Sequence, residues 1–432
     1  MEILDLTITA LSHDGRGIAR RNGKAVFVTG ALPGEMIRAR ISADHARFDE
    51  AQLLQVHTPA PGRIVPACPH FGICGGCSLQ HLDIDLQRIH KEQVLKDALE
   101  RIGRITPAAW LPLITSSPWG YRCRTRLGVD RTRAGEIRLG YRGKASHHLM
   151  DLTDCPVLHP ALLALLPKLR AQVLSIVRSV TEVDLAQGDE GCGLRLHLAT
   201  TPRRRDFSVL EDFARDEGLR VWLCGPGAHS LRPMEPAPLI YRLPKSSVEF
   251  HYTPADFTQI NLSLNRSLVT TVLELLVPVP GERVLDLYCG LGNFTLPLAR
   301  IGAEVVGIEG DADLVRRARS NAHHNALSRA RFQCADLSKD GLPLADGFEK
   351  VLLDPPRAGA EVVIHHLAKL RVQRIVYVSC HPGTLARDAA YLVREGGYCL
   401  KTAGLVDMFP HTAHGECVAL FTRDSPASSY TF

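Results

Sequence analysis

The chain has 432 residues, 45% hydrophobic and 22% charged, with a formal net charge of +5. That balance suits a globular protein of about three domains and excludes a low-complexity or disordered chain. No apolar run reaches the roughly 20 residues that cross a bilayer, and the nearest, Ala161 to Leu169, is interrupted by Pro167 and Lys168. The start, Met1-Glu2-Ile3-Leu4-Asp5, carries no signal core, so the expectation is a soluble cytoplasmic protein. Its 12 cysteines are scattered along a long chain rather than framing a small secreted domain, and most read as buried small hydrophobes.

Residues 3–56 read as about five short strands divided by glycine turns such as His13-Asp14-Gly15-Arg16-Gly17 and Leu32-Pro33-Gly34-Glu35. This pattern suits a small oligonucleotide-binding barrel over residues 1–58. His57 to Pro69 holds four prolines and reads as a linker. Residues 59–250 form a mixed central region. It opens on Cys68-Pro69-His70-Phe71-Gly72-Ile73-Cys74-Gly75-Gly76-Cys77, with the spacing C-x5-C-x2-C. Zinc sites more often pair two C-x2-C elements. Cys155 in Asp154-Cys155-Pro156 is the best fourth ligand, and its following proline is a ferredoxin-like feature. Spacing alone leaves zinc and an iron–sulfur cluster both open.

A helical stretch, Asp83 to Arg101, follows and is placed to pack on the C-terminal domain. Between Trp119 and Lys144 lie Arg122, Arg124, Arg126, Arg131, Arg133, Arg138, Arg142 and Lys144, opposed by Asp130 and Glu136. In a strand, Arg122, Arg124 and Arg126 share a face, so the segment reads either as a basic ribbon for a phosphate backbone or as a solvated hairpin. Leu162 to Val180 reads as helical, with strands near Gly193 to Ala199 and Val221 to Cys224.

Residues 251–432 alternate strand and helix, the pattern of a doubly wound α/β domain. Val284-Leu285-Asp286-Leu287-Tyr288-Cys289-Gly290-Leu291-Gly292-Asn293-Phe294 is a strand entering a glycine turn and a helix. The third glycine of the dinucleotide fingerprint is missing, and acids end successive strands at Glu309 and Asp336. That combination favours S-adenosylmethionine. Asp354-Pro355-Pro356-Arg357 follows a fourth strand with no Pro-Cys motif. The cysteine comes instead at the end of the fifth, in Val378-Ser379-Cys380-His381-Pro382. Glu416 ends His411-Thr412-Ala413-His414-Gly415-Glu416, before a strand from Cys417 to Phe421. Taken singly, each of these residues is more often a buried cysteine or a turn carboxylate.

Together they resemble the RNA uracil-C5 methyltransferases, and most closely the bacterial 23S ribosomal RNA branch with an N-terminal TRAM domain. The resemblance spans nearly the whole chain. It implies a class I S-adenosylmethionine methyltransferase domain, a TRAM barrel and a central α+β domain carrying a [4Fe–4S] cluster on Cys68, Cys74, Cys77 and Cys155. It implies Cys380 as nucleophile and Glu416 as base, with cofactor contacts at Gln259, Tyr288, Asn293, Glu309, Asp336 and Asp354. The implied partner is 23S ribosomal RNA with a uridine flipped from its stack; no obligate protein partner is implied. His381 stands where the family has asparagine, which bears on the hydrogen bond that side chain would make. A dual-site or other RNA uracil-C5 methyltransferase is the neighbouring reading. A non-catalytic RNA-binding assembly factor would not need Cys380, Glu416 and the strand-end acids together. A radical S-adenosylmethionine enzyme would need C-x3-C-x2-C.

Overall fold

The computed structural model describes residues 2–144, 148–225, 231–233, 237–339, 347–370 and 372–423. The chain divides into two compact units. One comprises Met1–Val94, Gly140–Pro156 and Phe409–His414; the other comprises Leu95–Leu139, Val157–Met408 and Gly415–Phe432.

In the first unit, six strands form one sheet, in the order Ile3–Thr7, Met36–Asp44, Phe48–Thr58, Lys24–Thr29, Gly17–Arg21, Ala10–Leu11. Alternation decides which side faces in. Ile37, Ala39 and Ile41 turn inward and pack with Ile8, Val26, Val28 and Ala51, while Arg38 and Arg40 turn out. Glu35 is fully buried in this unit. Its carboxylate accepts from the Leu32 amide at 2.8 Å and from Arg63 Nη2 at 2.8 Å. Burial alone would push its pKa up, but the Arg63 guanidinium and the amides hold it below the usual glutamate value. This pair fastens the proline-rich linker to the strands.

In the second unit, a six-stranded sheet runs Leu231–Pro233, Arg220–Cys224, Cys192–Leu198, Val180–Gln187, Arg124–Arg131, Ile137–Gly140. The helix expected over Leu162 to Val180 is shorter. Pro160–Lys168 is α-helical, Leu169–Leu174 widens into a π turn, and Val180 already pairs with Leu198 as a strand. The β-branched, alternating Val180-Thr181-Glu182-Val183 favours the strand. The basic ribbon forms, with its turn closed by Thr132 and Glu136, but its arginines are partly committed. Arg126 pairs with Asp184 at 2.6 Å, and Arg131 donates to the Leu174 carbonyl at 2.7 Å.

The larger sheet of this unit carries seven strands of the doubly wound domain. They are β1 (Arg283–Leu287), β2 (Glu304–Glu309), β3 (Ala330–Cys334), β4 (Lys350–Leu353), β5 (Arg374–Ser379), β6 (Cys399–Val406) and β7 (Glu416–Thr422). Their order is β3-β2-β1-β4-β5-β7-β6, with the short strand Ala109–Trp110 added beside β6. β1 to β5 are parallel, and β7 runs antiparallel to β5. Both faces are covered, by α1 (Thr295–Ile301), α2 (Ala312–His324), α3 (Glu361–Leu370) and α4 (Pro382–Arg394) among others. The parallel strands are therefore apolar almost throughout, with Val351, Leu352, Leu353, Ile375, Val376 and Val378 fully buried. Each such side chain contributes about 1.5–3 kcal/mol by leaving water. Strand order reverses between β1 and β4, so a crevice opens at the carboxyl ends of these strands.

Candidate active site and cysteine loop

The β1 end of that crevice is a strained turn. Tyr288 takes a φ of 63° and Gly290 a φ of 54°. A left-handed tyrosine costs of order 1–3 kcal/mol and persists only where its surroundings hold it. A Cβ on Gly290 would meet nothing within 4 Å, so the turn borders open space. The Gly290 amide donates to Glu309 Oε2 at 3.0 Å, and the Asp311 amide donates to Glu309 Oε1 at 3.0 Å. Glu309 is thereby aimed across the ends of β1 and β2. Asn293 exchanges two hydrogen bonds with Asn265, at 2.8 and 3.1 Å, and Asn265 also donates to the Tyr241 hydroxyl at 3.0 Å. The amide of Asn293 is thus fixed from the side opposite the turn.

Beneath the turn, Asp286 is fully buried. It accepts from the Thr295 hydroxyl, and its Oδ1 has no partner. Burial pushes its pKa up to about 7. Asp354, at the end of β4, is pushed to about 7 by desolvation and by the charge of Glu309. Asp336 lies after β3 and is tied into its own turn, accepting from the Ser338 amide at 3.0 Å and from Lys339 at 2.9 Å. Hydrogen bonds from Ser338 and Lys339 hold it down at about 2.

Gln259 sits half-buried in a loop that Arg124 organises. The Arg124 guanidinium lies 5.6 Å from the ring centroid of Phe257 and donates to the Thr258 carbonyl at 3.2 Å. One arginine of the basic segment therefore supports the loop.

Cys380 follows β5 immediately, and Glu416 opens β7. The antiparallel register pairs Ser379 with Cys417, which brings Cys380 and Glu416 to the same end of the strand pair. Burial raises the Cys380 thiol to about 11, and the carboxylates of Glu416 and Asp354 add to the rise. Glu416 is 3% exposed. Burial, with Asp354 beside it, pushes its carboxyl well above the usual range. One thiol and two carboxyls thus meet in a desolvated pocket where both acids resist ionisation.

His381, which stands where the family has asparagine, caps the helix that follows it. It is the N-cap of α4, and its Nδ1 accepts from the Thr384 amide at 3.2 Å. A ring nitrogen and an amide oxygen serve equally as the acceptor at this position.

Sequence reasoning missed Asp388. This buried carboxylate on α4 accepts from the Tyr377 hydroxyl of β5 at 2.7 Å and from the Ala360 amide at 2.8 Å. Arg387 donates to it at 2.8 Å and to the Ala358 carbonyl at 3.1 Å. The loop after Asp354 is thus locked to the strand that carries Cys380. The only sequence signal is an acid set among Leu385, Ala386, Ala389 and Ala390, all buried.

In the first unit, the loop Cys68–Cys77 is drawn to the segment before Cys155. His70 Nε2 lies 2.9 Å from the Thr153 hydroxyl, the Lys144 amide donates to the Ile73 carbonyl at 2.8 Å, and Cys74 bridges Gly143. None of the four is in a disulfide among the described residues, and Cys155 is buried. Burial raises Cys77 to about 11, and Cys155, Cys68 and Cys74 each push it further. Cys68 is raised by burial, Cys74 and Asp154. Thiols close enough to raise one another in this way suit a bound metal group. Among the described residues, no three of these sulfurs lie within 4.8 Å of one another.

The strand order, the turn after β1 and the acids at the strand ends define a class I S-adenosylmethionine-dependent methyltransferase fold, joined to an N-terminal β module. Residues 210–424 match the family described as tRNA (Uracil-5-)-methyltransferase, and residues 2–54 match the TRAM domain. The chain is 46% identical to the 23S rRNA (uracil(1939)-C(5))-methyltransferase RlmD of Xanthomonas axonopodis pv. citri, over 96% of each protein. It is also 46% identical to the protein of that name from Nitrosococcus oceani, over 96% of this chain and 95% of the relative. The crystal structure of Pyrococcus abyssi tRNA (uracil-54, C5)-methyltransferase with S-adenosyl-L-homocysteine superposes with a TM-score of 0.77 at 24% identity, covering 97% of this chain and 100% of that one. The chain belongs to the RNA uracil-C5 methyltransferase family, in its 23S ribosomal RNA branch. Among the described residues, no helix is long and apolar enough to cross a membrane.

Proposed function

We propose that this chain converts one uridine of 23S ribosomal RNA to 5-methyluridine, at the position corresponding to the 1939 of its relatives' names, with Cys380 as nucleophile and Glu416 as base. The observation that supports it most is the β5–β7 register, which sets Cys380 and Glu416 at one strand end. Carbon 5 of a neutral uracil is too weak a nucleophile to take a methyl group. The Cys380 thiolate adds to C6, breaking the C5–C6 double bond and placing carbanion character on C5. S-adenosylmethionine supplies the electrophilic methyl group when bound. Once C5 is methylated, Glu416 in its carboxylate form takes the C5 proton and becomes the carboxylic acid. The C5–C6 double bond then re-forms and expels the thiolate.

The desolvated pocket raises the basicity of Glu416, at the cost of also raising the Cys380 thiol. Gln259, Tyr288, Asn293, Glu309, Asp336 and Asp354 line the cofactor side. The carboxylate of Glu309 is suited to ribose hydroxyls, and Gly290 leaves backbone room for the ligand.

The TRAM barrel of residues 1–58 and the central region 59–250 hold the RNA, and residues 251–432 carry the chemistry. Cys68, Cys74, Cys77 and Cys155 hold a [4Fe–4S] cluster with a structural role.

RNA containing 5-fluorouridine at the target tests the reaction, because fluorine cannot leave as a proton does. With cofactor present, the wild type should form a covalent protein–RNA complex, and Cys380→Ala should form none while melting at an unchanged temperature. A complex retained in Cys380→Ala removes Cys380 from the mechanism.

A further inference from the structure

A second group of donors lies away from the strand-end crevice. Glu249 and His251 stand two apart on the strand Val248–Tyr252, so they project to one face. His324 is the last residue of α2. The Nε2 atoms of His251 and His324 lie 2.8 and 3.1 Å from the same oxygen, Glu249 Oε1. The three ligand atoms fall within 4.8 Å of one another, and the two imidazole centroids are 4.0 Å apart.

The frame around them is built rather than accidental. The Asn321 side chain accepts from the His251 amide at 2.9 Å. That of Asn325 accepts from the Glu249 amide at 2.9 Å and donates to the Glu249 carbonyl at 2.7 Å. Strand and helix end are therefore clamped at the residues that bear the ligands. Arg242 donates to Glu249 Oε2 at 2.7 Å, which orients the carboxylate and leaves Oε1 toward the histidines.

We propose that Glu249, His251 and His324 bind one zinc ion, which staples the strand Val248–Tyr252 to α2. Two imidazole nitrogens and one monodentate carboxylate oxygen suit zinc, with water completing a tetrahedron. A cation is also favoured at the C-terminal turn of a helix. The side chains keep 25–44% of their exposure, so an ion can enter from solvent. The site performs no step of the methyl transfer, and its ligands are distinct from the cysteines of the loop.

Cobalt(II) chloride and zinc chloride titrations of the full-length protein, with its iron content intact, test the assignment. The wild type should take up one cobalt ion, with ligand-field absorption free of sulfur-to-metal charge-transfer bands, and zinc should raise its melting temperature. His324→Gln and His251→Gln should each weaken cobalt binding by about 10–100-fold and remove the zinc shift, with methyl transfer unchanged. Equal binding by wild type and both variants overturns the proposal. So does uptake accompanied by sulfur charge-transfer bands, or no uptake by the wild type.

Discussion

Two groups of cysteines in this chain meet the same physics with opposite neighbours. Cys380 follows the end of a parallel strand and faces carboxyls. Cys77 sits among three other thiols in a loop. In each place burial raises the thiol to about 11. At Cys380 the neighbours that add to the effect of burial are the carboxyls of Glu416 and Asp354. In the loop the neighbours that add to the effect of burial are the other thiols, which is the setting the proposed cluster would relieve. An elevated thiol pKa therefore does not distinguish a nucleophile from a ligand; the neighbours do.

The comparison breaks most readily at the loop. Cys77→Ser should abolish iron–sulfur absorption and cost roughly 4 kcal/mol or more of stability, read as a fall in melting temperature. Molecules that remain folded should still form the fluorouridine complex; loss of that complex in folded protein would give the loop a catalytic role. At the strand end, Glu416→Gln should leave addition intact and slow release by about 10²–10⁴-fold, so methylated adduct accumulates on ordinary RNA. Normal turnover by this variant excludes Glu416 as the base.

Acidity sharpens the contrast further. The proposed nucleophile is the Cys380 thiolate, and burial lifts this thiol well above neutrality. Adduct formation in a single turnover should therefore rise about tenfold per pH unit between about pH 7 and 9. Near pH 7 the slope should be shallower, because Asp354 loses its proton there and its charge opposes the thiolate. A rate independent of pH would mean that Cys380 is already ionised. The smallest effect belongs to His381. His381→Asn should keep the helix cap and the melting temperature, whereas His381→Ala should cost about 1 kcal/mol.

Much of the catalytic sheet was readable because buried parallel strands are continuous apolar runs and their ends carry acids. The strand read into the glycine turn is β1, and Glu309, Asp354 and Cys380 fall at the ends of β2, β4 and β5 as expected. What was hidden depends on partners distant in sequence. Cys155 was named from the sequence, but the contact that ties its segment to the loop joins His70 and Thr153, separated by 83 residues. Asp388 looks like a surface residue of an amphipathic helix until Tyr377 and Ala360 are placed against it. Asn321 and Asn325 likewise read as ordinary helix-end residues, yet they bind the backbone of another element. His381 was legible as a departure from the asparagine, but its function as a cap needed the helix that follows.

The segment Phe409–His414 belongs to the same compact unit as the N-terminal strands. Within that unit, the amides of Ser78 and Leu79 donate to the His411 carbonyl, and Gln87 accepts from the His411 amide at 2.9 Å. Synthesis runs from the N-terminus, so these bonds cannot form until residues 409–414 have been made. The strands up to residue 58 can close early, but the residues just beyond the cysteine loop must wait for a partner 324 residues after Gln87. Arrival of residues 409–414, rather than closure of the N-terminal strands, is the event that completes this unit.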